Sequence, residues 1–141
     1  LKAAEDEVNT DPAWINANVN KILKACTTQA RYLFSIHLVS EDAATVTAGI
    51  RLCKHLLGFV LQALRSSGAI RTIEEMILST LIHDLLEHVQ SPQLGKLKEG
   101  AQITKALNCI LLKILQSIDQ TLGFKILLRI LSDSLKAQEG R

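Results

Sequence analysis

The sequence predicts an all-α fold built from five antiparallel helices. Apolar residues recur every three or four positions through most of the chain, which is the periodicity of helices with one apolar face. Apolar residues make up 48% of the chain and aromatic residues only 4%, so we expect a core of aliphatic helices packed on helices. Runs of alternating β-branched residues never extend beyond a few positions, so no β-sheet is predicted.

Helix 1 is expected from about Pro12 to about His37, after a polar lead-in over residues 1–10. Asp11 suits the N-cap. Pro12 suits the first helical position, because a backbone N–H at that position has no partner within the helix and its absence costs nothing. Thr27 and Thr28 lower the helix propensity, so the helix can bend in its middle. The apolar stripe of this helix consists of Val19, Ile22, Leu23, Cys26, Ala30, Leu33 and Phe34.

Helix 2 is expected from about Asp42 to Arg65, with Ser40 as its N-cap and Ser66-Ser67-Gly68 as its end. Gly49 and Gly58 lie inside it, and each costs roughly 1 kcal/mol relative to alanine. Close approach of a neighbouring helix would explain why they are there. The expected buried positions are Val46, Ile50, Cys53, Leu57, Val60, Leu61 and Leu64.

Helix 3 is expected from about Ile73 to Val89, behind a capping box formed by Thr72 and Glu75. It is apolar on two faces, which is typical of a helix in the interior of a layered array. Ser91-Pro92 ends it, and residues 93–99 are expected to form a loop. The two faces consist of Ile77, Leu81 and Leu85, and of Leu78, Ile82, Leu86 and Val89.

Helices 4 and 5 are expected between Gly100 and Leu135, on either side of a short break at 117–120. The break leaves room only for a tight reversal, so the two helices should lie antiparallel and bury their stripes together. The stripe of helix 4 is Ile103, Leu107, Ile110, Leu111, Ile114, Leu115 and Ile118. The stripe of helix 5 is Leu122, Ile126, Leu127, Ile130, Leu131 and Leu135.

These helices are expected to form a single domain over residues 11–136, followed by a polar tail at 137–141. Two architectures fit them. One is a closed up-and-down bundle. The other is an α-solenoid of HEAT type, in which antiparallel helix pairs stack side by side. A spacing of ~40 residues between pairs favours the solenoid, and the closed bundle is the alternative.

Residues able to run a reaction are not gathered anywhere in the sequence, so we predict no enzyme activity, no cofactor and no metal site. The strongest metal-like cluster is His83-Asp84-Leu85-Leu86-Glu87-His88, but a spacing of five places its two histidines about 140° apart around a helix. Zinc-binding helices space two histidines four apart. The cysteines Cys26, Cys53 and Cys109 are odd in number and far apart, so we expect buried free thiols.

Nucleic-acid binding and a membrane span are not predicted. The net charge is +2, and clusters of arginine with aromatic residues are missing. The longest uncharged apolar run, Leu56–Leu64, is about half of the roughly 20 residues that a span requires. Residues 1–10 are acidic and polar, so no signal peptide is expected.

Basic side chains mark the expected partner-binding surface, which would attract an acidic partner and steer its approach. Ordinary solvated helix faces are the alternative. Trp14 is added because tryptophan is enriched at interface hot spots, although packing helix 1 against a neighbour is its other open role. The basic members of this surface are Lys21, Lys24, Arg31, Arg51, Lys54, Lys96 and Lys98.

Short segments between Lys98 and Leu135 carry a family resemblance. They are KEGAQI at 98–103, ALN at 106–108, ILLKIL at 110–115, DQT at 119–121 and ILSDSL at 130–135. Together they resemble the carboxy-terminal region of the ch-TOG / mini spindles family of microtubule polymerases. That region has a similar EEGQQ turn, a VNLLVVKVLE helix, an SDQT break and an LLQDSL helix. Residues 16–89 are similar to it in helix spacing.

The resemblance implies a HEAT/TOG-like module, the last TOG-like domain of those chains. It also implies docking of an acidic coiled-coil partner of the TACC type, in the cytoplasm, on the cytoskeleton of the spindle and centrosome. The family region continues with further helices, so the chain is expected to be shorter than the native module. The leading hypothesis is therefore a non-enzymatic protein-interaction module of a microtubule-associated polymerase.

Two alternatives stay open. Family members bind tubulin through loops along one edge of their TOG domains, and Lys96 and Lys98 could serve in this way. Typical TOG modules follow a loop tryptophan closely with basic residues, whereas Trp14 is followed by Ile15-Asn16-Ala17, which favours the coiled-coil partner. The other alternative is an unrelated helical adaptor or ligand-pocket protein.

Overall fold

The computed structural model describes residues 12–65 and 68–139, and within these ranges no residue lies in a β-strand. A π-helical turn, Leu33–His37, continues the first helix, and a 3₁₀ turn, Ile70–Thr72, precedes the third. The all-α prediction with five long helices is confirmed, and one short helix is added to them. The helices are α1 (Pro12–Tyr32), α2 (Ala43–Arg65), α3 (Glu75–Val89), α4 (Pro92–Lys96), α5 (Gly100–Ser117) and α6 (Gln120–Glu139).

The long helices form two layers. In one layer α1 packs against α3, in the other α2 packs against α5, and the pairs α1–α2 and α3–α5 join the layers. Helix α6 continues the first layer, because Lys125 and Arg129 reach the Glu75 carboxylate of α3 at 2.9 and 3.8 Å. This side-by-side order of helix pairs is solenoid-like and leaves α6 at an open end of the array.

The core lies between the two layers. The predicted stripe of α1 is buried except at Ile22 and Ala30, which are half-buried. The two apolar faces of α3 are explained by its two neighbours, α1 and α5. The most completely buried side chains of the long helices include Leu23, Leu64, Leu78, Ile82, Ile103, Leu107, Ile110, Ile114 and Ile126.

Helix α2 is the one helix in the described ranges that could cross a membrane by length and composition alone. Its most apolar window has a mean hydropathy of 1.3, and 39% of that window is buried inside the structure. The buried face of α2 packs against both α1 and α5. This packing accounts for its apolar composition, because a helix with two neighbours must bury two sides.

The capping box predicted for α3 is wrong. The Thr72 hydroxyl belongs to the 3₁₀ turn, where it donates to the Ala69 carbonyl at 2.8 Å. The N-cap is Glu74, which makes no side-chain capping bond. The Glu74 N–H instead donates to Oδ1 of Asn20 on α1 at 2.8 Å. A tertiary contact therefore replaces the local one, and it ties the start of α3 to α1.

The start of α2 lies slightly later than predicted. Asp42 caps the helix: its carboxylate accepts from the Thr45 N–H at 3.2 Å and from the Thr45 hydroxyl at 2.6 Å. These bonds lower the pKa of Asp42. Ser40 only supports this cap by accepting from the Asp42 N–H at 3.1 Å. Aspartate and serine are both good N-caps, so sequence alone did not decide between them.

Residues 93–99 are not all loop, because α4 begins at Pro92 and buries Leu94. The predicted tail is also partly helical, since α6 runs to Glu139. The irregularity expected near Thr27 and Thr28 appears instead in the π-helical turn that ends α1.

Gly49 and Gly58 differ in their surroundings, which predicts opposite effects of substitution. A Cβ at Gly49 would lie 2.7 Å from the His37 Cβ, whereas a Cβ at Gly58 meets nothing within 4 Å. Gly58→Ala should therefore raise the free energy of unfolding by about 0.5–1 kcal/mol. Gly49→Ala should lower it by about 1 kcal/mol, because the clash outweighs the gain in helix propensity. Urea unfolding checks the pair, and shifts of the same sign would contradict the packing.

Candidate functional site

An apolar stripe on the outer side of α6 is the most prominent surface feature of the described residues. Ile126 is fully buried, and Leu122 and Ile130 pack partly against the core. The stripe faces away from these residues. It consists of Phe124, Leu127, Leu128, Leu131 and Leu135, which are 68%, 37%, 61%, 56% and 53% exposed.

The stripe has the dimensions of a helix-packing face. Its members span 12 positions, or about 16 Å of helix, and apart from the adjacent pair Leu127-Leu128 they follow one another at three or four residues. Exposed apolar patches on the order of several hundred Å² mark interaction sites in many proteins. Leu112 and Leu115 of α5 are also exposed. The stripe contains no charged side chain, so a second helix could pack on it without burying a charge.

The predicted helices 4 and 5 are α5 and α6 of the structure. The prediction that they bury their whole stripes together is wrong for four residues that are exposed, Leu115, Leu127, Leu131 and Leu135. Phe124 and Leu128 were not among the residues predicted from the sequence. Adjacent apolar pairs, Leu127-Leu128 and Ile130-Leu131, were the signal that could have found them. Such pairs indicate a helix that is apolar on two faces, as α3 is, and α6 has neighbours on one side only.

Ion pairs hold α6 against α3. Lys125 lies 2.9 Å from the Glu75 carboxylate and lowers the pKa of Glu75, first by its hydrogen bond and then by its charge. A carboxyl group whose pKa is depressed on folding stabilises the folded state above its unfolded pKa, here about 4.5. That contribution is lost as the pH falls below this value, so acid should loosen α6 from the array.

The basic residues predicted to bind a partner do not form one surface. Lys21, Lys24 and Arg31 lie on α1 in the first layer. In the second layer Lys54 pairs with Glu99 at 2.8 Å, and this bond lowers the pKa of Glu99. The remaining members, Arg51, Lys96 and Lys98, are exposed.

Arg31 is part of the structure that holds α1 to α3. Its Nε and Nη2 atoms donate to the two oxygens of Asp84 at 2.6 and 3.0 Å. The Asp84 side chain is 7% exposed, whereas that of Arg31 is 57% exposed. Asp84 is the one buried charged residue of the described ranges, and Arg31 neutralises it.

Removing Arg31 should leave the Asp84 carboxylate buried beside α1 without its charged partner. We expect Arg31→Gln to lower the free energy of unfolding by about 1–2 kcal/mol, because water reaches this half-exposed pair. Lys24→Gln, an exposed change on the same helix, should stay within about 0.5 kcal/mol. Adding Asp84→Asn to Arg31→Gln should restore part of the loss. Equal stability of the Lys24 and Arg31 variants in urea would show that the pair contributes nothing.

Trp14 is half-buried and packs against the core, which is the packing role that the sequence left open. Its backbone carbonyl accepts a hydrogen bond from the Asn18 amide at 2.8 Å. The Trp14 side chain therefore packs against the core at the start of α1, which is the first helix of the array, whereas α6 is the last.

The two histidines of α3 have separate surroundings, as their spacing predicts. His88 stacks on Phe34 with ring centroids 4.1 Å apart, and burial lowers its pKa. His83 instead approaches Asp84 and Glu87, at 3.6 and 3.4 Å, so that three potential metal ligands lie within 4.8 Å of one another. All three belong to the cluster that was discounted on the spacing of its two histidines, and they approach one another without His88. A cation there would compete with Arg31 for the Asp84 oxygens.

Two of the three cysteines are buried as predicted, but Cys109 is exposed on α5. Burial raises the pKa of Cys26 to about 11 and that of Cys53 to about 12. Both thiols are therefore protonated and unreactive near neutral pH. The expectation of burial is wrong for Cys109 because it lies off the buried face of α5.

Comparison with known proteins supports the broad form of the resemblance. No protein-family model matches the chain, and no solved structure matches it significantly. Protein MOR1 of Arabidopsis thaliana is 31% identical over 90 residues, which are 64% of this chain and 5% of MOR1. Protein MOR1 of Oryza sativa subsp. japonica is 31% identical over 84 residues, or 60% of this chain and 4% of that protein.

Centrosomal protein 224 of Dictyostelium discoideum is 28% identical over 96 residues, which are 67% of this chain and 5% of that protein. The chain thus spans about a twentieth of the length of the curated relatives it matches. Over three fifths or more of its own length, it is similar to MOR1 proteins of the ch-TOG family and to a centrosomal protein.

Proposed function

We propose that the chain is a non-enzymatic protein-interaction module of a microtubule-associated protein, and that it docks a helical partner on the apolar stripe of α6. The exposed stripe is the observation that carries this proposal. Its five aliphatic and aromatic side chains offer no acid, base or nucleophile, so the stripe can bind but cannot react. Burying them would remove several hundred Å² of apolar surface from water, at roughly 25 cal/mol per Å².

The partner is a coiled coil with acidic flanks, of the TACC type that the family resemblance implies. A helix matches the stripe because both repeat their side chains every three to four residues. One flank of α6 carries Lys125, Arg129 and Lys136, and only Glu75 is paired with any of them. Asp133 and Glu139 lie within four residues of Arg129 and Lys136 on the same helix, so the flank is close to neutral and the acidic character of the partner rests on the family resemblance.

The similarity to a centrosomal protein supports a place on the microtubule cytoskeleton, at the centrosome and the spindle. The layered helix pairs support a TOG/HEAT-type module within a microtubule polymerase. The predicted basic residues, such as Lys21, Lys24 and Arg51, would steer the acidic partner toward the array without contacting the stripe. Tubulin binding through Lys96 and Lys98 is the competing function.

Calorimetric titration of the chain with a purified TACC-type coiled coil, and separately with tubulin dimers, tests the proposal. We expect saturable binding of the coiled coil with a negative heat-capacity change, because apolar surface is buried. Binding of tubulin but not of the coiled coil would contradict the proposal and favour the alternative function, tubulin binding. Binding of neither protein would contradict the proposal.

A further inference from the structure

A basic hollow lies at the edge of the array where α2 turns toward α3 and α5 turns into α6. Its volume is about 370 Å³. Three cations from three different elements line it: Arg65 at the end of α2, Arg71 of the 3₁₀ turn and Lys113 of α5. The amide of Gln116 and the hydroxyl of Ser117 add neutral donors.

The cations of this hollow lack acidic partners among the described residues. None of the acids in the described ranges lines the hollow. Arg31, Lys54 and Lys125 each lie within 3 Å of a carboxylate, whereas Arg65, Arg71 and Lys113 take part in none of the ion pairs seen there. Asp119 lies in the adjoining hollow, which Arg71 and Ser117 also line, and its carboxylate accepts from the Leu122 N–H at 3.4 Å and caps α6.

Helix ends account for only part of this charge. Helix α2 ends at Arg65 and α5 ends at Ser117, so the carbonyl ends of two helices lie at the hollow. Each helix end carries roughly half a negative charge, so the two together balance about one of the three cations. About one to two positive charges remain once the nearby Asp119 carboxylate is included, and a phosphate monoester carries about two negative charges near neutral pH.

We propose that this hollow binds a phosphate group carried by a serine or threonine of a partner protein. Two arginines favour phosphate because the planar guanidinium donates two parallel hydrogen bonds to its oxygens. A single carboxylate offers two oxygens to the three cations, whereas a phosphate offers three. The lining contains no aromatic side chain on which a nucleic-acid base could stack, so a phosphopeptide fits better than RNA.

The site is separate from the α6 stripe and adds to the proposed function. It lies on α2, the 3₁₀ turn and α5, and none of its lining residues belongs to α6. A phosphorylated partner would therefore engage the chain at a second place, and its binding can be measured without the coiled coil.

Nuclear magnetic resonance of the isotope-labelled chain tests this proposal with three capped tripeptides. They are acetyl-Ala-phosphoserine-Ala-amide and its serine and glutamate counterparts. We expect the phosphopeptide alone to shift the amide signals of Gly68 and Ser117. Arg71→Gln and Lys113→Gln should each weaken this binding at least about tenfold, since each removes a hydrogen bond between charged groups. Lys105→Gln, an exposed charge change on α5, should leave it unaltered.

Several results would overturn the proposal. They are equal binding of the glutamate peptide, unchanged affinity in both charge variants, or no shift with any peptide. Inorganic phosphate binding as tightly as the phosphopeptide would remove the assignment to a protein partner, and so would tighter binding of a short oligouridylate. Circular dichroism confirms that the variants keep the wild-type fold, so loss of binding cannot come from unfolding.

Discussion

Replacing Gly100 by alanine is expected to lower the free energy of unfolding by about 3 kcal/mol or more, a large share of the roughly 5–15 kcal/mol of a typical domain. A Cβ at this position would lie 1.7 Å from the carbonyl oxygen of Leu94 and 2.7 Å from its carbonyl carbon. Both are backbone atoms, so no side-chain rotation can relieve the clash. Helix α4 would have to separate from the start of α5.

Urea unfolding followed by circular dichroism measures this effect, and Gly95→Ala is the matched control. Gly95 lies in α4, five residues earlier, and a Cβ there meets nothing within 4 Å. We expect the control to be neutral or slightly stabilising. Lys54 pairs with Glu99 beside the clash, so the Gly100 variant should also lose this link between α2 and the turn. An unchanged midpoint for Gly100→Ala would mean that α4 does not pack against α5.

The double substitution Leu128→Asp and Leu131→Asp is expected to weaken binding of the coiled coil by at least about 100-fold, because it places two charges in the centre of the apolar interface. Both side chains are more than half exposed in the free chain. Their replacement should therefore cost the fold little beyond the lower helix propensity of aspartate, roughly 0.5 kcal/mol each. The variant should therefore lose affinity for the coiled coil while its free energy of unfolding stays close to that of the wild type.

Met76→Asp provides the control for that experiment. Met76 is 69% exposed on α3, so the change also introduces a charge at an exposed apolar position, away from the stripe. Titration calorimetry should show wild-type affinity for Met76→Asp and a large loss for the α6 variant. If both variants bind the coiled coil as the wild type does, then the partner does not use the stripe, and the proposed function would need another surface.

The sequence was a good guide to where the long helices lie. Apolar periodicity predicted all five long helices, because a helix forms from residues three and four positions apart. It also predicted the interior place of α3 from its two apolar faces. The same rule failed on α6, where apolar residues also cover two faces. Leu122, Ile126 and Leu131 were predicted to share one buried stripe, but of these three the neighbouring helices cover only Ile126 and, in part, Leu122.

The partners of the charged residues also depend on the tertiary structure. Arg31 looked like a free cation on the polar side of α1, and 53 residues separate it from the carboxylate it neutralises. Lys54 and Glu99 are 45 residues apart. The hollow formed by Arg65, Arg71 and Lys113 draws on three elements whose proximity no local pattern indicates. Such pairs and clusters were beyond sequence analysis because the distances between them depend on how the helices are stacked.

What the sequence by itself determined is the set of helices, their approximate ends and most of the core, because each of these follows from neighbours along one helix. Only the tertiary structure decided which glycines are tightly packed, which cations are paired and which apolar face of α6 stays uncovered. The physical reason is that exposure, steric clash and charge pairing depend on what lies opposite a residue in space. That neighbour usually comes from a different helix.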